Sequence, residues 1–183
     1  MDLWLFNEIH GRPGTDLMTA FQLITELGSM RTWLIIIPLL WLGRKHEAAL
    51  TLLVALIVVF VVVNSMKFAI DRPRPYEMMS LVDLGRSSFD SSFPSGHTTN
   101  AFAGAVAVGL KWRKALPWLL ALATAIGFSR VYMGVHFPLD VVAGASIGIL
   151  IGLLAASIDL KGIMLWIETR SERIAGRFRI VSK

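Results

Sequence analysis

The 183-residue chain is 55% hydrophobic and 17% charged, with a mean hydropathy of +0.62; soluble domains average about half apolar and about a quarter charged. That balance excludes an ordinary water-soluble domain, and the lack of cysteine excludes disulfides, thiolate catalysis and cysteine-bound zinc. The net charge of +5 does not mark a nucleic-acid partner, because the 18 Lys and Arg lie between apolar blocks instead of on one basic face. The chain reads as an all-α integral membrane bundle of about six transmembrane helices, since lipid leaves an unpaired backbone no water to bond.

In chain order, the N-terminus Met1-Asp2-Leu3-Trp4 lacks a basic region and cleavage site, so the spans themselves are expected to target the chain. Leu17 to Leu27 carries only Glu26 and reads as a short or tilted span, with five helices in place of six if it does not cross. The charge-free block Thr32 to Gly43 is short, so its helix starts near Gly28 or lets Arg31 snorkel. Ala48 to Met66 is the longest charge-free run, close to the ~20 residues that cross a bilayer core. Ser91 to Leu110, whose front half is a polar loop, Ala115 to Ser129, and Val141 to Ile158 complete the set. Residues 1–160 are read as one transmembrane domain. Beyond them, 161–183 form a basic cytoplasmic tail in which Ile163, Ile167, Ile174 and Phe178 share one face of an interfacial amphipathic helix.

Counting Lys and Arg in alternating loops puts Arg44 and Lys45, the Lys111 to Lys114 cluster and the tail on one side, the cytoplasmic one. Asp71 to Pro94 and Met133 to Pro138 then face outward. Trp33, Trp41, Trp112 and Trp118 lie near span ends and read as interfacial anchors. Gly144, Gly148 and Gly152 repeat every four residues, as do Ala101, Ala105 and Gly109, which permits close helix packing inside the bundle. His10 and His46 read as ordinary interface residues, and oligomeric state stays open.

Four ionisable patches sit at the outer ends of spans, where charge is costly and usually functional. Lys67, Arg74 and Arg130 supply three cations, two of them guanidinium forks suited to phosphate oxygens. Ser95, Gly96 and His97 open a helix after Pro94, and a glycine there lets backbone N–H groups approach an anion. His136 and Asp140 stand four apart with Pro138 at the first helical position, so the carboxylate can hold one imidazole nitrogen and leave the other as a nucleophile. A metal between His97 and His136 is disfavoured by the neighbouring cations.

These residues resemble the type 2 phosphatidic acid phosphatase superfamily, which shares its site with the vanadium haloperoxidases. Its three motifs stand here as Lys67 to Arg74-Pro75, Pro94-Ser95-Gly96-His97, and Ser129-Arg130 to His136 to Asp140, within a core from about residue 48 to 158. The resemblance implies that His136 attacks phosphorus, Asp140 orients it, and His97 protonates the leaving oxygen and then activates water. It further implies that Lys67, Arg74, Ser95, Gly96 and Arg130 bind the phosphoryl oxygens, and that no metal or other cofactor takes part. Arg72 and Asp71 receive no role. The activity implied is metal-independent hydrolysis of a phosphorylated membrane lipid at the outer face of a cytoplasmic membrane, with a bell-shaped pH profile. The substrate is a polyprenyl diphosphate such as undecaprenyl diphosphate, or phosphatidylglycerophosphate or phosphatidic acid. Lipid A 1-phosphate hydrolysis, phosphotransfer to another acceptor, and non-catalytic lipid-phosphate binding or transport are the alternatives. The loop Glu77 to Val82 is a candidate substrate selector.

Overall fold

A computed structural model describes residues 2–10, 16–78, 91–160, 162, 163, 166 and 169, and every described element is helical. The helices are α1 (Asp2–Ile9), α2 (Asp16–Glu26), α3 (Met30–Leu42), α4 (His46–Ile70), α5 (Pro75–Met78), α6 (Gly96–Lys111), α7 (Leu116–Tyr132) and α8 (Pro138–Ser157). Most of the expected tail helix and the loop beyond Met78 lie outside the described residues.

Local sequence accounts for the breaks. Ser29 caps α3, its hydroxyl accepting from the Thr32 amide at 3.2 Å, so α2 and α3 meet at Gly28 with a 54° bend. By length and composition, the stretches His46–Met78 and Pro138–Ser157 can each cross a membrane, with hydropathies of 2.7 and 2.2, and the bent pair α2–α3 makes a third if it is one span. The other helices fall short of that measure: α7 has 17 residues, and α6 has 16 and opens on a polar turn. Large apolar side chains such as Phe60, Val61, Leu150 and Leu154 stand exposed on α4 and α8, a surface suited to lipid.

Helix α6 lies at the centre, packed against α4, α7 and α8. Small residues make this possible. A Cβ on Gly148 would stand 2.6 Å from the Thr99 carbonyl oxygen, and one on Gly152 would stand 2.9 Å from that of Ala103, so the α8 glycine stripe lets two backbones touch. Because lipid is as apolar as the packed side chains, van der Waals fit rather than exclusion from water holds such a contact. The same device corrects the reading of Trp33. Its indole is 2% exposed and lies over Gly104, where a Cβ would come within 2.3 Å of the ring, so Trp33 belongs to the core and not to the interface. Trp118 stays 77% exposed, as an anchor should.

Candidate active site

Alternating helix direction brings the C-terminal ends of α4 and α7 and the N-terminal ends of α6 and α8 to one end of the bundle. Lys67, Arg130, the Ser95 to His97 turn and the His136 to Asp140 segment therefore converge from four parts of the chain. The opposite end carries Lys45, Lys111, Arg113 and Lys114.

The turn into α8 is organised by Asp140. Its Oδ2 accepts from the Phe137 amide at 2.9 Å, closing the first turn, and from the Ser92 hydroxyl at 2.5 Å. His136 Nδ1 lies 3.8 Å from that same oxygen and 3.3 Å from Ser92 Oγ, so the expected His136–Asp140 pair is bridged by a serine. The main chain before it is tied back to α7, with the Val135 and His136 amides donating to the Arg130 carbonyl at 3.2 and 3.3 Å. The ring of His136 is 2% exposed. Burial, reinforced by the positive charges of Arg130 and Arg74 and opposed by Asp140, pushes its pKa down from 6.5 to about 3. Burial thus favours the neutral imidazole, whose protonation falls well below the ordinary 6.5.

At the entry to α6, the Ser95 amide donates to the Asp140 carbonyl at 3.0 Å, joining the two helix starts. Ser95 Oγ accepts from Thr98 at 2.9 Å, which leaves its own hydroxyl proton for another acceptor. The Gly96 and His97 amides stand in the first turn, where helix N–H groups have no intrahelical partner. A Cβ on Gly96 would meet only Val63, at 3.8 Å, so protein packing does not demand glycine here. His97 is partly exposed and within electrostatic reach of Lys67, Arg74 and Arg130.

The cations are fixed in different ways. Lys67 is 8% exposed and donates to the Ser91 carbonyl. Arg130 is equally buried; one terminal nitrogen donates to Thr25 Oγ1 at 2.8 Å, while its Nε has no partner among the described residues. Arg74 is half-buried at the start of α5, its amide bonded to Glu77 at 3.2 Å. Every predicted site residue therefore lies at this end. Sequence reasoning missed Ser92, Thr25 and Arg72. Arg72 donates to Asp140 Oδ1 and to Asp2 Oδ2, both at 2.5 Å. His10 and His46 stay apart from the site, stacked on Phe6 and Trp41.

Cations gathered with two histidines at an N-terminal helix turn can hold an anion. Residues 48–163 match the family described as the PAP2 superfamily. The chain belongs to that family. Among its PAP2 relatives, an undecaprenyl-diphosphatase of Sulfolobus acidocaldarius is 31% identical over 171 residues, covering 90% of this chain and 81% of the relative. The crystal structure of Aquifex aeolicus LpxE is 34% identical, with a TM-score of 0.72, and is covered to 95% by 86% of this chain. That of a transmembrane PAP2-type phosphatidylglycerolphosphate phosphatase from Bacillus subtilis is 29% identical, with a TM-score of 0.65, covering 82% of this chain and 79% of that one. A lipid A 1-phosphatase of Rhizobium johnstonii matches over 98 residues only, 51% of this chain and 40% of the relative. Three of these four are named as phosphatases or a diphosphatase, and this chain shares the helical architecture of the two solved structures.

Proposed function

We propose that the chain is a lipid phosphatase whose nucleophile is His136. The observation that carries the reading is the buried imidazole, engaged through Nδ1 by Ser92 and Asp140 and within electrostatic reach of Arg130 and Arg74. With Nδ1 so held, attack on phosphorus falls to Nε2, and the N–P bond forms as the P–O bond to the lipid breaks. His97 gives the leaving oxygen its proton and then takes one from the water that cleaves the phosphohistidine. Asp140 orients His136 and balances the charge that grows on its ring. Lys67, Arg74, Arg130, the Ser95 hydroxyl and the Gly96 amide hold the phosphoryl oxygens, and these donors gain most where negative charge develops. No metal enters this scheme.

The substrate proposed is a polyprenyl diphosphate or a phosphorylated glycerolipid. The undecaprenyl-diphosphatase relative aligns over nearly the whole chain, whereas the lipid A 1-phosphatase aligns over about half. The distribution of Lys and Arg supports a site end on the outer face of a cytoplasmic membrane, and the bent pair α2–α3 with α4, α6, α7 and α8 supports five spans, the lower of the two counts expected from the sequence. The deciding experiment measures phosphate release in detergent with EDTA, on undecaprenyl diphosphate, phosphatidylglycerophosphate, phosphatidic acid and lipid A, for wild type and His136→Ala. We expect EDTA-resistant turnover on one of the first three, lost in the variant together with an acid-labile phosphoryl label on the protein. Turnover that survives His136→Ala would overturn the nucleophile assignment. Loss of lipid phosphate without accumulation of inorganic phosphate would make the protein a phosphotransferase.

A further inference from the structure

Arg72 ties together α1, the chain at Ser91 and Ser92, and the start of α8. Its guanidinium bridges Asp140 Oδ1 and Asp2 Oδ2 at 2.5 Å each and lies 4.4 Å from the centre of the Phe137 ring. Its amide donates to Ser91 Oγ at 3.0 Å, and its carbonyl accepts from the Ser92 amide at 2.8 Å. The residue thus touches the carboxylate, the ring beside the nucleophile, and the strand of chain that carries Ser92.

Asp2 is not a passive counter-ion. Its other oxygen accepts from the Leu139 amide at 3.0 Å, which caps the exposed start of α8, and Phe6 one turn later packs on Phe137 with ring centres 5.6 Å apart. Helix α1 is therefore fastened to the catalytic turn by an ion pair, an amide cap and an aromatic contact. A carboxylate as buried as Asp140 needs every lone pair answered, and its two oxygens divide the work. Oδ1 takes the cation; Oδ2 takes Phe137, Ser92 and His136.

We propose that Arg72, braced by Asp2, is a positioning residue for the reaction: it clamps Asp140 by Oδ1 so that Oδ2 stays aimed at Ser92 and His136. Helix α1 is then part of the active-site frame, although it precedes the family-matched segment. The inference rests on the role proposed for His136. Without the clamp the carboxylate rotates or turns to solvent, and the imidazole loses its fixed orientation while the phosphate-binding cations stay in place. Misplacement on the order of 1 Å costs about 100-fold in rate, so the loss belongs in kcat and not in KM.

The test compares full-length wild type, Arg72→Gln, Arg72→Lys, Asp2→Asn, and Asp2→Asn combined with Arg72→Gln, on the lipid that wild type hydrolyses, with His136→Ala as reference. We expect Arg72→Gln to lower kcat about 30- to 100-fold with KM within about threefold, and Arg72→Lys to recover part of the loss through one of the two contacts. Asp2→Asn should lower kcat about threefold to tenfold alone, and by less than about twofold in the Arg72→Gln background, because it acts through Arg72. Equal effects of Asp2→Asn in both backgrounds, or a loss carried by KM, would overturn the clamp while leaving an inactive His136→Ala to uphold the nucleophile. If Arg72→Gln fails to fold, Asp2→Asn decides alone: an unchanged kcat refutes the proposal. An active His136→Ala would instead refute the underlying reading.

Discussion

The two ends of the bundle carry the same residue types in opposite circumstances. At the basic end, Arg113 and Lys114 are exposed, Lys111 pairs with a partly exposed Glu47 at 2.7 Å, and Lys45 lies over Trp112 at 5.3 Å. These are the habits of cations that face solvent, where a surface ion pair contributes about 0–1 kcal/mol and nothing need be held in one place. At the site end, Lys67 and Arg130 are each 8% exposed and tied to a carbonyl or a hydroxyl. Burying a cation beside other cations is unfavourable unless an anion completes the site. Sequence counts them alike; burial separates topology from chemistry.

The sharpest way to break that contrast is to delete one cation from each end. Arg130→Ala should lower kcat/KM by about 1,000-fold or more, the range for an arginine that stabilises a transferring phosphoryl group. Arg113→Ala should change it by less than about twofold, as an exposed charge away from the reaction would. Similar losses from both would mean that the two clusters are not functionally distinct. Packing gives a second test. Gly148→Ala pushes a methyl to 2.6 Å from the Thr99 carbonyl, against backbone that cannot swing aside, and should cost about 1–3 kcal/mol. It should also slow turnover by shifting the start of α6, measured as thermal midpoint and kcat together. Gly162→Ala, where nothing among the described residues lies within 4 Å, is the matched control and should leave both unchanged.

How far these features were legible in the sequence depends on how local their cause is. The three motifs announced Lys67, Arg74, His97, Arg130, His136 and Asp140 because each pairs a charged group with a helix end, and helix ends are written in prolines, glycines and caps. That both α6 and α8 could pack closely inside the bundle was also legible from their four-residue repeats of small side chains, although which helices pair was not. Trp33 was not. A tryptophan near a span end fits an interface or a core equally well until Gly104, 71 positions later, supplies the notch. Arg72 and Thr25 were hidden for the same reason, since their partners Asp140 and Arg130 lie 68 and 105 positions away. Only the fold makes those pairs neighbours.

Thr25 offers a smaller test on the same theme. Its hydroxyl accepts from one guanidinium nitrogen of Arg130 and so sets which edge of the fork remains for phosphate. Thr25→Val keeps the shape and removes the acceptor. We expect about a tenfold loss in kcat/KM, in line with the loss of one hydrogen bond to a charged group. An unchanged value would show that Arg130 holds its orientation without help from α2.

A last test concerns acid stability. An unfolded chain protonates its histidines as pH falls through about 6.5, whereas buried His136 resists protonation until about pH 3. Between those values the unfolded state binds the extra proton and the folded state does not. Its contribution to stability is therefore fully present above 6.5 and is lost progressively as pH falls toward 3, by at most about 1.4 kcal/mol for each pH unit. Thermal midpoints in detergent should decline from pH 6.5 to 4, and His136→Asn, which removes the titration, should flatten that decline. An equally steep acid slope in the variant would place the titrating group elsewhere. It would also count against the proposed nucleophile, because the burial that destabilises the fold in acid is what would keep the His136 imidazole unprotonated for the attack proposed.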